Sequence, residues 1–227
     1  MRRFDRSEAE YMAYELNRFM YNATEDNAVE ELGKCLRGFG DGLPWNSVTP
    51  EGLTLLHTTA SYDSLNSVKT LIAMGMDPNA RDIDGNTFVH HAFDLLGIVD
   101  YGGHSCKVVK WMAGNGFDLN VKNNLGQTPL FLLGRHLQTQ LDDDYDINLY
   151  DQQKEMIVNL VEHFQILGGD FYHKDNEGRT FVDVFPVHPN LQQLDDLINS
   201  WKAKILRHTI EQEVGGLDNK KVAHKKM

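Results

Sequence analysis

Cysteine is nearly missing: Cys35 and Cys106 are the only two in 227 residues, too few for a disulfide framework or a four-thiolate zinc centre. Nor is there an apolar run near the roughly 18 residues that a membrane-crossing helix needs, because polar side chains interrupt every hydrophobic stretch. Positive charge is scarce as well. Twenty-two lysines and arginines face 33 acidic residues, a formal net charge of −11, which excludes broad electrostatic adhesion to nucleic acid or an anionic lipid surface. No Gly-x-Ser-x-Gly elbow, His-Glu-x-x-His pair or kinase signature occurs, and Met1 to Glu8 turns acidic before a signal-peptide core could form. These absences lead to the expectation of a cytoplasmic protein in reducing surroundings, with no catalytic residues, no cofactor, no metal and no membrane insertion.

What the chain does have is 41% hydrophobic residues, enough to fill a core, and an internal ruler. A glycine, one free residue and a threonine recur at Gly52-Leu53-Thr54, Gly85-Asn86-Thr87, Gly126-Gln127-Thr128 and Gly178-Arg179-Thr180. Each is preceded, ten residues earlier, by another glycine: Gly42, Gly75, Gly116 and Gly168. The intervals between one ruler and the next are 23, 31 and 42 residues. A segment of constant length bounded by two glycines reads as a tight hairpin that starts at a left-handed helix end and closes in a turn. The variable segment reads as two helices whose connection absorbs insertions at small entropic expense.

Threonine two places after the turn glycine is a good helix N-cap, and Pro129 suits a first helical position. Apolar residues at helical spacing in Leu65 to Ile72, Val108 to Met112 and Met156 to Val161 mark the second helix of successive units. Thr54-Leu-Leu-His57, Thr87-Phe-Val-His90, Gly75-Met-Asp-Pro-Asn79 and Gly116-Phe-Asp-Leu-Asn120 together resemble the signature blocks of the ankyrin-repeat family. The histidine of that signature becomes Phe131 and Asp183 in later units.

The resemblance implies an all-α solenoid of about five stacked helix-turn-helix units. Residues 1–213 form one domain: a leading cap at about 7–46, units at about 47–79, 80–120 and 121–172, and a closing unit at 173–213 in which Pro186 ends a short first helix. Residues 214–227, rich in glycine and lysine, read as a flexible basic tail. It also implies a protein-binding module acting as a monomer through hairpin tips, the face of the first helices and insertion loops. The corresponding residues are Leu53, Ile83, Asp84, Asn86, Leu125, Gln127 and Arg179 around the turns, with Ser61 and Tyr62 at the end of a first helix. Leu53, Ile83 and Leu125 are the expected apolar anchors. Tyr145 and Tyr150, in the acidic insertion Leu141 to Asp151, add aromatic contact for a basic partner segment. The setting implied is a regulatory scaffold, with a lean toward a small effector from a bacterium or virus acting in host cytosol.

Sharper chemistry competes at four places. His90, His91, His104 and Cys106 form the densest group of metal-ligand types, an alternative enzyme site, although the resemblance gives His57 and His90 a structural hydrogen bond between neighbouring turns. Asp144, Asp146, Asn148 and Glu155 follow the spacing of a calcium loop but with Leu149 where the glycine belongs. Gly38, Gly40 and Gly42 lack the lysine of a phosphate loop. Lys202 to Met227 holds seven basic residues against three acidic, so nucleic-acid contact through the tail is a further alternative.

Overall fold

A computed structural model describes Tyr11 and residues 49–93, 107–135, 151–185 and 192–224. The helices are α1 (Leu55–Ser61), α2 (Leu65–Ala73), α3 (Phe88–His91), α4 (Lys107–Gly114), α5 (130–135), α6 (Asp151–Ile166) and α7 (Gln192–His224), with a 3₁₀ turn at Phe181–Val184. Among the described residues there is no strand. Seven of the eight ruler glycines, Gly52, Gly75, Gly85, Gly116, Gly126, Gly168 and Gly178, have φ between +73° and +94°, the left-handed region in which a β-carbon is strained. Gly42 lies outside the described residues. At Gly85 and Gly126 the constraint is doubled, since a β-carbon would also run into the side chains of Asn124 and Asn176 from the next hairpin.

Among the described residues four units follow one another, each a hairpin tip, a short first helix and a second helix. Thr54, Thr87 and Thr180 sit in extended conformation at the N-caps of α1, α3 and the 3₁₀ turn. Helix α1 lies against α2 and α3, α2 against α4, α4 against α6, and the 3₁₀ turn against α7. One core therefore runs the length of the stack, through Leu56, Leu71, Phe88, Val108, Met112, Phe131, Phe164, Phe181 and Trp201. Edge-to-face ring pairs bridge units, with Phe93 on Phe164 at 5.3 Å and Phe171 on Phe181 at 5.0 Å. The closing unit has only one 3₁₀ turn as its first helix, and Phe181, Phe185 and Trp201 pack there instead.

One expectation changes. Helix α7 does not end near Glu213 but continues to His224, so the basic segment expected to be loose is helical over most of its length. The leading cap, Tyr11 excepted, lies outside the described residues, as do both insertions before Lys107 and Asp151. Asp151 itself opens α6, and Glu155 is exposed on it.

One position that the ruler does not mark joins two units. Asp63, between α1 and α2, is the only described non-glycine residue at positive φ, +51°. From there its carboxylate accepts the amides of Val108 (2.8 Å) and Lys107 (3.2 Å), the first residues of α4. A side chain of the preceding unit thus caps a helix that follows a long insertion, so the helix start does not depend on the inserted loop. Asp63→Ala loses the cap while keeping the strained backbone and should cost about 2–3 kcal/mol, whereas Asp63→Gly relieves the strain and should cost about 1 kcal/mol. Urea denaturation of both variants checks this, and a glycine variant more stable than the wild type would show that the cap contributes nothing.

Candidate protein-interaction surface

The tips are built by one repeated set of bonds. Thr49, Asp82, Asn123 and Asp175 each open a turn that ends three residues later at Gly52, Gly85, Gly126 or Gly178, whose amide donates back to the opening carbonyl at 2.9–3.0 Å. The opening side chain then accepts the amide four residues on: Leu53 to Thr49 Oγ1 at 3.2 Å, Asn86 to Asp82 at 2.7 Å, Gln127 to Asn123 at 2.9 Å and Arg179 to Asp175 at 2.9 Å. This periodic Thr/Asp/Asn/Asp escaped the sequence reading, though it stands at a constant offset from the turn glycine. The tips are also stitched together along the stack. The amides of Ile83, Asn124 and Asn176 donate to the carbonyls of Glu51 (2.7 Å), Asp84 (3.0 Å) and Leu125 (3.0 Å) of the preceding tip. The row of tips is therefore one hydrogen-bonded ribbon whose spacing is set by backbone geometry.

After Gly52, Gly85 and Gly126 the residue between turn glycine and threonine points inward, which corrects three of the expected contacts. Leu53 is buried and belongs to the interior. Asn86 and Gln127 are also buried and form a polar spine under the tips. Asn86 donates to Asp82 at 3.0 Å and accepts from Asn123 at 2.9 Å, and Gln127 donates to Asp175 at 3.2 Å. Arg179 is half-exposed, but its guanidinium is committed to Asp175 (2.9 Å) and Glu177 (3.1 Å). The reason is alternation: the residues that open and follow the turn face each other in the hairpin, so their side chains share its inner side and the two tip residues take the outer one. Ser61 is likewise buried, its hydroxyl donating to the Thr58 carbonyl at 2.7 Å. All seven residues of α1 are buried, so that helix offers no free face to a partner.

The outer side carries what remains. Ile83 is 72% exposed and Leu125 44% exposed on neighbouring tips. Asp84 beside Ile83 is exposed and accepts from Arg135 at 3.2 Å. Tyr62 is half-buried. Tyr145 and Tyr150 lie outside the described residues.

The histidines beneath the tips are structural. Thr54 and Thr87 donate their amides to Nδ1 of His57 (3.0 Å) and His90 (3.1 Å), which places the ring proton on Nε2. That proton is then directed at the carbonyl of Ala80 or of Gln127 in the next hairpin, 3.2 Å away in each case. Burial of the rings is the main cause that lowers both to a pKa of about 4. In later units Asp183 takes the Nδ1 role, accepting the Thr180 amide at 2.7 Å. Phe131 cannot, and the buried Thr128 hydroxyl is left without a hydrogen-bond partner. His91 instead donates through Nε2 to Asp82 at 3.0 Å. Burial alone would raise the Asp82 carboxyl, but the hydrogen bonds from His91 and Asn86 outweigh it and hold the pKa at about 2.

His90 and His91 are thus both engaged, while His104 and Cys106 lie outside the described residues. Among the described residues no three histidine, cysteine, aspartate or glutamate side chains are placed to hold a metal ion, and no described helix is long and apolar enough to cross a membrane. The calcium-type spacing and the glycines at 38–42 fall outside the described residues, apart from the start of α6.

Residues 19–123 match the family model for ankyrin repeats, three copies. No curated protein matches the chain. The tip geometry found within the matched residues recurs at Gly126 and Gly178 beyond them. Repeated left-handed glycines, threonine-capped helices and the family match converge on one conclusion: this chain carries ankyrin repeats over residues 19–123, and the same tip geometry continues past them.

Proposed function

We propose that the protein works by holding a partner protein against its row of hairpin tips, with Ile83 and Leu125 as the apolar anchors, and carries out no chemistry of its own. Ankyrin repeats in general mediate protein–protein interaction, and the particular support here is the exposure of those two side chains. The tips owe their shape to backbone hydrogen bonds and to the polar spine beneath them, so neither Ile83 nor Leu125 is needed for folding. An apolar side chain in that position gains free energy only when something covers it. The neighbouring charges are largely satisfied within the chain, Asp84 by Arg135 and Glu177 by Arg179, which favours a partner that contributes apolar surface at the centre of the contact.

Replacing Ile83 and Leu125 with aspartate should abolish capture of the partner in affinity purification, since losing two central anchors typically costs about 2–4 kcal/mol or more of binding. The thermal midpoint should stay within about 2 °C of the wild type, because both side chains are exposed. Retained capture would overturn the proposal. Leu53→Asp is not a binding test, since it buries a charge in the interior and should unfold the first described unit.

A further inference from the structure

Helix α7 is 33 residues long, about 50 Å, and only its first part joins the core. Ile198, Trp201 and Ile205 are buried, and beyond them no side chain through Gln212 is. One side of the helix faces the preceding unit. There Lys204 Nζ reaches Gln165 Oε1 at 2.8 Å and lies over the Phe171 ring, and His208 stacks on Tyr172 at 3.8 Å. Leu206 is two residues from both Lys204 and His208, and Ile210 is two from His208, so each stands about 200° around the helix from those contacts. Leu206 and Ile210 are 61% and 50% exposed on the side of α7 turned away from the preceding unit. A solvent-facing side of a repeat is normally polar; this side of α7 carries two large aliphatic side chains.

The charges along the same stripe are self-complementary. At spacings of three and four the stripe carries Asp195, Lys202, Leu206 and Ile210, and the sequence continues that register with Glu213 and Lys220. Two such helices laid antiparallel about a point midway between Leu206 and Ile210 bring Leu206 opposite Ile210 and, one residue from exact register, the Lys202 position beside the Glu213 position and the Asp195 position beside the Lys220 position. Each of these charged positions then lies within one residue of its opposite. A parallel arrangement would set each charge against its own kind. We propose that this face of α7 binds the same face of a second copy of this chain, forming a two-fold dimer with antiparallel α7 helices. Pairing also accounts for the length of α7, because a long polar helix is stabilised chiefly by packing one of its faces. The expectation of a monomer gives way to this arrangement, which leaves the tips free on both copies and does not depend on what they bind.

Sedimentation equilibrium of the full chain tests it. The wild type should show a monomer–dimer equilibrium with a Kd on the order of 10 µM, as suits a modest interface. Leu206→Glu combined with Ile210→Glu should sediment as a monomer with an unchanged circular dichroism spectrum. Lys202→Glu should weaken the dimer about fivefold to tenfold, and adding Glu213→Lys in the same chain should restore it, because the swap re-forms both pairs across the axis. Ile83→Asp with Leu125→Asp should leave the dimer intact. The proposal is overturned by a wild type that stays monomeric up to about 200 µM, by a dimer that survives the Leu206/Ile210 change, or by a charge swap that does not restore association. A wild-type monomer would leave this face to a foreign helix instead.

Discussion

Lowering the pH from 7 to 4.5 should remove most or all of the protein's stability, and His57 and His90 should account for most of the loss. Both rings are held neutral in the fold, with pKa lowered from the ordinary 6.5 to about 4 chiefly by burial. In the unfolded chain they take up a proton as the pH falls through 6.5, while the folded chain resists until about 4. The stabilisation is therefore complete above pH 6.5, declines between 6.5 and 4, and is gone below. Each ring contributes about 3 kcal/mol over that window, and the two together rival the whole stability of a domain of ordinary size. Asp82 acts in the same direction lower down, since its carboxyl is held at about 2 and its contribution disappears as the pH falls from 3.8 through 2. Urea midpoints measured from pH 7.5 to 4.5 should hold down to about pH 6.5 and fall steadily below it, and His90→Gln should roughly halve that slope even though it is less stable at neutral pH. A flat profile between pH 6.5 and 5 would show that the rings are not sealed beneath the tips.

Asp175→Ala should be the most damaging truncation to alanine among the turn-opening residues of the hairpins, costing about 4 kcal/mol. The carboxylate is buried and accepts the amides of Glu177 and Arg179, the Arg179 guanidinium and the Gln127 side chain. Burial would raise its pKa, but those bonds, with Arg179 foremost, outweigh it and lower the group. Alanine leaves all of those donors facing a gap. Asp175→Asn keeps one accepting oxygen but turns an amide toward Gln127 and Arg179, so about half the loss is expected. The damage should be local at first. Hydrogen exchange in the alanine variant should speed up across 175–185 and the first turns of α7 before it does so in α1 or α2, as befits a stack whose units touch only their neighbours. A loss below about 1 kcal/mol would mean that the spine is not a continuous support.

How much of this could be read from the chain alone varied with the kind of constraint. A left-handed backbone position tolerates essentially glycine, so the ruler shows through in the residue type itself, and all seven described ruler glycines have positive φ. Threonine as N-cap was legible for the same reason, because few side chains can serve an orphan amide from that position. The histidine role was legible too, and the replacement by Asp183 preserved its chemistry while Phe131 did not. Direction of side chains was not legible. Leu53, Asn86 and Gln127 flank the turn just as Ile83 and Leu125 do, and only the alternation within a hairpin, which depends on where its bonds close, separates inside from outside. Asp63 escaped because its partner amides lie 44 and 45 residues away, beyond any local pattern.

The chain's own letters determined the repeating unit, its turns and caps, and the helical class, because these depend on residues a few positions apart and on conformations that single residue types permit. Tertiary packing decided which turn residues face water, which helix of one unit is capped from another, how far α7 runs, and that Leu206 and Ile210 stay exposed on it. Those outcomes depend on neighbours that meet only once the units are laid side by side, and their burial and pairing energies are not properties of any short segment.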